Sequence, residues 1–426
     1  MSYFIQNTQL KKSVWGVPDG VSMLALSGWL GSGARLVYVA RDDARMMAMR
    51  DGLLRLAPDV ETHLFPAWDC LPFDRLSPQG ALVGQRVETL ARLAEGGAGS
   101  SAGAVLLTTV NAVLQRVPPQ SYFFERSLVL APGDSTGPAP LCDFLVGQGY
   151  LRTDTVRETG EFALRGGILD IYPPGRGAPA RFDFFGDELE TIRDFDAATQ
   201  RSGRPQDRLV LRPVAEFQLD EPSIERFRTG YRAAFGAMAS RDALYDSVSA
   251  GRMHPGMEHW LPLFHEELAL LTDYCVDWQL VLDHEADAAI AARFAQIQDF
   301  HGARQEPGDD DPGMAYRPLS IDRLYPAEAE AETLFSYAVR MMPFAAPPGD
   351  EGRDAGGRAG QVITRAGGSG SSVIEEVVEI ITAERKSANR PVLITVAGEG
   401  AAVRIAELLD PHLGDGAAER VTGIDQ

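Results

Sequence analysis

Lysine is almost missing from this 426-residue sequence: Lys11, Lys12 and Lys386 are the three among 40 basic residues. A catalytic phosphate loop, whose lysine reaches the β- and γ-phosphates, therefore has few places to sit. Cysteine is also scarce. Cys70, Cys142 and Cys275 are odd in number, far apart and form no CxxC pair, which argues against a disulfide framework and a cysteine zinc site and fits a reducing cytoplasm. Positive charge is in deficit, 40 basic against 60 acidic residues for a net charge of −20. Such a chain repels bare DNA and anionic membrane at long range, so only a local basic site remains open to it. No uncharged apolar run approaches the roughly 20 residues that span a bilayer, and Met1–Lys12 lacks an apolar signal core. The expected location is the cytoplasm.

What is present is a globular composition, 45% hydrophobic and 23% charged, with a length that suits roughly two to four domains. The first region alternates helical and strand patterns. Val21–Ser27 reads as helix, stopped by Gly28–Gly33, and Arg35–Ala40 as a buried strand. Asp42–Leu56 returns to helical spacing, with Met46, Met49, Leu53 and Leu56 on one face. Pro66, Pro72 and Pro78 rule out a regular helix over Phe65–Pro78. Ala81–Ala94 is helical and Ala104–Thr109 a strand, so a parallel α/β sheet is expected. From Ser127 to about Arg204, short β-like runs and glycine turns surround one helix near Leu141–Gly147. Helices then dominate, including Ser223–Phe235 and Glu285–Phe300. Phe344–Ser372, with Pro-Pro and a GGSGSS run, reads as a linker. A helix (Val373–Lys386), a strand (Pro391–Ala397) and a helix (Gly400–Leu409) follow. The expected division is 1–126, 127–208, 209–344, a linker at 345–372, and 373–426. The last unit is too short to close a sheet, so the chain is expected to be part of a longer protein.

Two glycine-rich segments have phosphate-loop features without the chemistry. Gly28–Gly33 has the glycine spacing, but Ala34 and Arg35 stand where Lys and Ser or Thr are needed. It also leads from helix to strand, the reverse of a phosphate loop, so a helix end and tight turn is the reading. Gly16–Ser22 precedes the first helix, as a phosphate loop does, but carries Val21 in the lysine position and Asp19, which repels phosphate or caps the helix. Among the seven histidines, His254, His259 and His265 lie close in sequence without an HExxH or a matching cysteine, and a packed or surface role is expected. Asp309, Asp310 and Asp311 lack EF-hand spacing. No catalytic residue, cofactor site or metal site is assigned to the segment.

Gly160–Arg204 is the densest stretch, GEFALRGGILDIYPPGRGAPARFDFFGDELETIRDFDAATQRSGR. Ile168–Tyr172 and Ala180–Phe185 read as strands, and Gly186–Asp187 as a hairpin turn. Alternation places Phe182 and Phe184 on a core face and Arg181, Asp183 and Phe185 on the other. Arg165 joins them if its strand is adjacent. Two readings are open at this level. An arginine beside an exposed aromatic has the composition of a binding hot spot; alternatively Phe185 covers a hairpin end and the arginines pair with Asp183 or Asp187.

These motifs, with FPAWDCLPFDRLSP at Phe65–Pro78, TTVNAVLQRVPP at Thr108–Pro119 and PGMEHWLPLF at Pro255–Phe264, resemble the bacterial transcription-repair coupling factors and, more distantly, the excision-repair protein UvrB. The resemblance covers roughly Val14 to Phe335. It implies a degenerate RecA-like, UvrB-like parallel α/β domain with an inserted small α+β UvrA-binding domain, followed by a small α/β domain. It also implies that this segment recruits UvrA to lesion-stalled RNA polymerase and hydrolyses no ATP. ATP and Mg2+ would be used by the superfamily 2 DNA translocase motor of the full-length protein, and RNA polymerase and double-stranded DNA would be bound by regions outside this chain. The UvrA contact carries over to Arg165, Arg181 and Phe185, which match motif positions in RGG and RFDFF, and an intramolecular C-terminal domain would mask them in the full-length protein. A nucleotide- or damaged-DNA-binding UvrB-like module is the alternative.

Overall fold

A computed structural model describes residues 13–96, 103–236, 242–305, 316–350, 352–358, 373–388, 392, 394, 396 and 398–414. The chain forms two units, Met1–Arg358 and Ala359–Gln426.

The first unit begins with β1 (Ser13–Trp15), α1 (Asp19–Gly31), β2 (Arg35–Ala40), α2 (Asp43–Leu56), β3 (Glu61–Phe65), α3 (Gly80–Ala94) and β4 (Ala104–Thr109). β2 and β4 are nearly continuous apolar runs, the pattern of strands covered on both faces. Helix α1 buries Ala25, Leu26, Trp29 and Leu30 on one side. It continues through Gly28 and Gly31, so the expected stop at Gly28 is corrected: two helical glycines cost about 1 kcal/mol each, and burying Trp29 and Leu30 outweighs that. The turn falls at Ser32–Gly33, where Gly33 adopts φ +88°. Asp42 caps α2 by accepting the Arg45 N–H at 2.7 Å.

Between β5 (Leu128–Leu130) and β12 (Leu209–Leu211), which pair antiparallel as a two-stranded base, lies a separate mixed sheet. It contains β6 (Leu151–Arg152), β7 (Glu161–Arg165), β8 (Ile168–Ile171), β9 (Ala180–Phe185), β10 (Glu188–Phe195) and β11 (Ser202–Gln206), ordered β11-β10-β9-β8-β7-β6. One face packs Phe162, Leu169, Ile171, Phe182, Leu189 and Ile192 against Leu141 and Leu145 of the helix Pro138–Gly147. The base extends the inserted segment beyond residue 208.

The chain then returns. β13 (Gln279–Leu282), β14 (Val339–Met341) and β15 (Arg353–Asp354) complete a seven-stranded parallel sheet of order β15-β1-β14-β13-β2-β4-β3. β15 lies within the stretch read as linker, and pairing with β1 draws it into the first unit. The GGSGSS run lies outside the described residues. A second core in the helical region gathers Phe227, Tyr231, Met257, Trp260 and Phe264, into which the proline-rich stretch sends Trp68 and Phe73. In the second unit the described elements are the helices Val373–Ala388 and Glu399–Leu413; the expected strand Pro391–Ala397 falls largely outside the described residues.

Candidate partner-docking face

Helix α3 holds the inserted domain on the parallel-sheet domain. Arg86 is fully buried; its Nε donates to Glu216 Oε1 at 2.5 Å and its Nη1 to the Pro66 carbonyl at 2.9 Å. Two residues along, Glu88 meets Arg212 Nη1 at 2.5 Å, and Glu95, just past the helix, takes Nη2 at 2.8 Å. Glu216 and Arg212 both follow the exit strand, so each pair ties the base of the insertion to α3. Gly84 lies against Pro174, and Gly175, at φ +71°, packs directly on Glu88. The insertion's sheet is therefore carried on a fixed mount.

The outer face of that sheet holds the residues expected from sequence. Register places Arg165 opposite Ile168, Ile168 opposite Asp183, and Asp183 opposite Thr191. A neighbouring row runs Asp170, Arg181, Arg193. Glycine at 167 is required by close approach: a Cβ there would sit 2.7 Å from the Phe184 carbonyl oxygen, and Phe184 N–H donates to the Gly167 carbonyl at 2.8 Å. Gly186 takes φ +64° at the β9–β10 turn, and at the end of that hairpin Phe185 stands 76% exposed. Phe182 is buried and Phe184 partly so.

The acidic partners named in the alternative reading are corrected. Neither arginine takes Asp183 or Asp187; both take Asp170, which is fully buried. Arg181 forms a fork, Nε to Oδ1 at 2.7 Å and Nη2 to Oδ2 at 3.0 Å, while Arg165 Nη2 reaches Oδ2 at 2.5 Å. Asp183 instead accepts the Thr191 hydroxyl at 2.7 Å. Asp170, on the middle strand of three, lies directly across from Arg181 and one row from Arg165, so it reaches both, whereas Asp183 is satisfied by Thr191. Arg181 also donates to Ser202 Oγ at 3.1 Å and lies over the Phe195 ring at 4.8 Å, which leaves its side chain 15% exposed against 48% for Arg165. The Asp170 hydrogen bonds push the Arg181 guanidinium pKa further above its ordinary value. Sequence reasoning missed Asp170, Ile168 and Arg193, although period-2 alternation along ILDI puts Ile168 and Asp170 on one face.

The Gly16–Pro18 loop does run from strand β1 into helix α1. Asp19 makes an ion pair with Arg45 Nη1 at 3.0 Å, and does not act as the cap. Arg45 also binds Asp283 at 3.0 Å and Ser22 at 3.2 Å. Asp354 and Arg358 crowd Gly16, and the Arg358 hydrogen bonds hold the Asp354 carboxyl well below the usual range. His259 and His265 are packed, with burial as the main cause lowering each pKa to about 4. Among the described residues no group of three or more His, Cys, Asp or Glu is arranged to hold a metal, and no helix is long and apolar enough to cross a membrane.

Comparison with known proteins settles the family. The model of the UvrB interaction domain matches residues 128–217, which spans the base strands, the mixed sheet and Glu216. The transcription-repair-coupling factor of Haemophilus influenzae is 32% identical over 286 residues, 67% of this chain and 24% of that protein. That of Escherichia coli is 34% identical over 232 residues, 54% of this chain and 20% of that protein. That of Mycobacterium tuberculosis is 34% identical over 299 residues, covering 64% and 23%. The chain belongs to the transcription-repair-coupling factor family. It corresponds to the N-terminal part of these factors and spans about a quarter of the length of the coupling factors it matches. Within that segment the coupling-factor fold is a parallel α/β domain carrying an inserted UvrB interaction domain.

Proposed function

We propose that this segment recruits UvrA through the outer face of its inserted sheet, and so links a stalled RNA polymerase to nucleotide excision repair. The observation that carries the reading is Phe185, a large aromatic left 76% exposed at the end of an ordered hairpin, on the face that also presents Arg165. Phe rings bury roughly 150–250 Å2, so covering this one is worth about 3 kcal/mol before ordering costs. Arg165 adds a charge-assisted hydrogen bond to an acidic group on the partner. RNA polymerase displacement and DNA translocation with ATP and Mg2+ belong, in this reading, to the rest of the coupling factor, whose C-terminal domain covers the face until the motor engages DNA.

The segment itself hydrolyses no ATP in this reading. What supports this is the lysine-free Gly16–Pro18 loop, crowded by Asp354 and Arg358, with Asp19 in the first turn of α1 ion-paired to Arg45 of α2. The test of recruitment is capture of purified UvrA by this chain and by a full-length coupling factor. Stronger capture by the chain supports recruitment and masking; no capture by either removes the proposal.

A further inference from the structure

Arg165 and Arg181 differ in what they are free to do, and Asp170 is the reason. Arg181 is saturated: Nε and Nη2 grip Asp170, Nη1 donates to Ser202 Oγ at 3.1 Å and to the Gln200 carbonyl at 3.3 Å, and the guanidinium is stacked on Phe195. It has little left to offer a partner. Arg165 gives one nitrogen, Nη2, to Asp170, and nearly half of its side chain remains in solvent. Without the shared carboxylate, two cations on adjacent strand rows would repel and swing apart. With it, three charged groups form one unit of net charge +1 whose geometry is fixed by the bidentate fork.

We propose that Asp170 is the positioning residue of the docking face, locking Arg181 as a strut and orienting Arg165, the one of these two arginines that touches the partner's acidic group. This rests on the UvrA-docking reading and divides its residues into contact and support. It also makes a counter-intuitive demand. Asp170→Asn makes the face more positive, so simple charge attraction to an acidic partner predicts tighter binding. Positioning predicts weaker binding, because the amide sets an NH2 donor against Arg181 Nε where Oδ1 accepted, which breaks the fork, and removes the negative charge that holds both guanidiniums.

The experiment is calorimetric titration of purified UvrA into the chain, with unfolding midpoints as fold controls. Asp170→Asn is expected to weaken UvrA binding at least tenfold. Arg181→Lys, which keeps the charge and loses the fork, should do the same and serves if Asp170→Asn does not fold. Arg165→Gln should cost about thirtyfold in the native background and less than threefold when added to either variant, since a mispositioned Arg165 has little to lose. Unchanged or tighter binding by Asp170→Asn, or an Arg165→Gln effect that is equal in all backgrounds, overturns the inference while leaving UvrA docking intact. Failure of the native chain to bind UvrA removes both.

Discussion

Arg86 and Glu216 form the most deeply buried ion pair on the mount of the inserted domain, with side chains 0% and 3% exposed. Arg86→Met removes the cation, keeps much of the volume and strands Glu216 without its counter-charge. Breaking a buried pair from one side costs about 3–5 kcal/mol. For a cooperative unit of about 350 residues, the unfolding entropy is roughly 0.75 kcal/mol/K, so the midpoint should fall by about 4–7 °C. The double variant Arg86→Met/Glu216→Met leaves no stranded charge and should recover most of this loss. A residue of about 1 kcal/mol should persist, because the Pro66 carbonyl loses its donor. Scanning calorimetry or tryptophan fluorescence of the three proteins is the assay. A single variant within 1 °C of the native protein, or a double variant no better than the single, would show that the pair does not fasten the insertion.

Three further outcomes follow from the same packing. His259 and His265 stay neutral in the folded chain to about pH 4 but protonate near 6.5 when unfolded. Between those values the unfolded state binds more protons, so stability is full above pH 6.5 and falls as pH drops toward 4, by about 4 kcal/mol for the two at pH 5; His259→Gln/His265→Gln should flatten that part of the midpoint–pH curve, and an unchanged slope would contradict it. Gly175→Ala places a Cβ against Glu88 at a positive φ, so the midpoint should fall by at least about 1 °C and hydrogen exchange should quicken in β5 and β12; a neutral result would mean that α3 gives way. Millimolar Mg-ATP should leave the midpoint unmoved, whereas a ligand at a hundredfold excess over its Kd adds about 2.7 kcal/mol, or about 3–4 °C here, and a rise of that size would restore a nucleotide site.

The parallel α/β character was legible because β2 and β4 are unbroken apolar runs and α2 and α3 keep helical spacing. β1, β3, β13 and β14 were not read as strands. Three to five residues carry too little periodicity, and β3 includes Glu61, Thr62 and a His63 that is buried only by tertiary packing. Chain position within the sheet was equally hidden, since β13–β15 return from residues 279–354 to flank β1 and β2. On the outer face of the inserted sheet, alternation alone put Arg181, Asp183 and Phe185 together. It could not choose between Asp170 and Asp183 as the arginines' partner, because that choice depends on which strand lies in the middle and on Thr191 satisfying Asp183 across the hairpin.

The central claim is that the exposed hairpin end is a UvrA anchor, and Phe185→Ala tests it most directly. The side chain is in solvent, so the unfolding midpoint should stay within about 1 °C of the native value. Titration of UvrA should show saturable binding to the native chain and a loss of about 2 kcal/mol, or thirtyfold, in the variant. Equal affinity of the two proteins for UvrA would contradict the account.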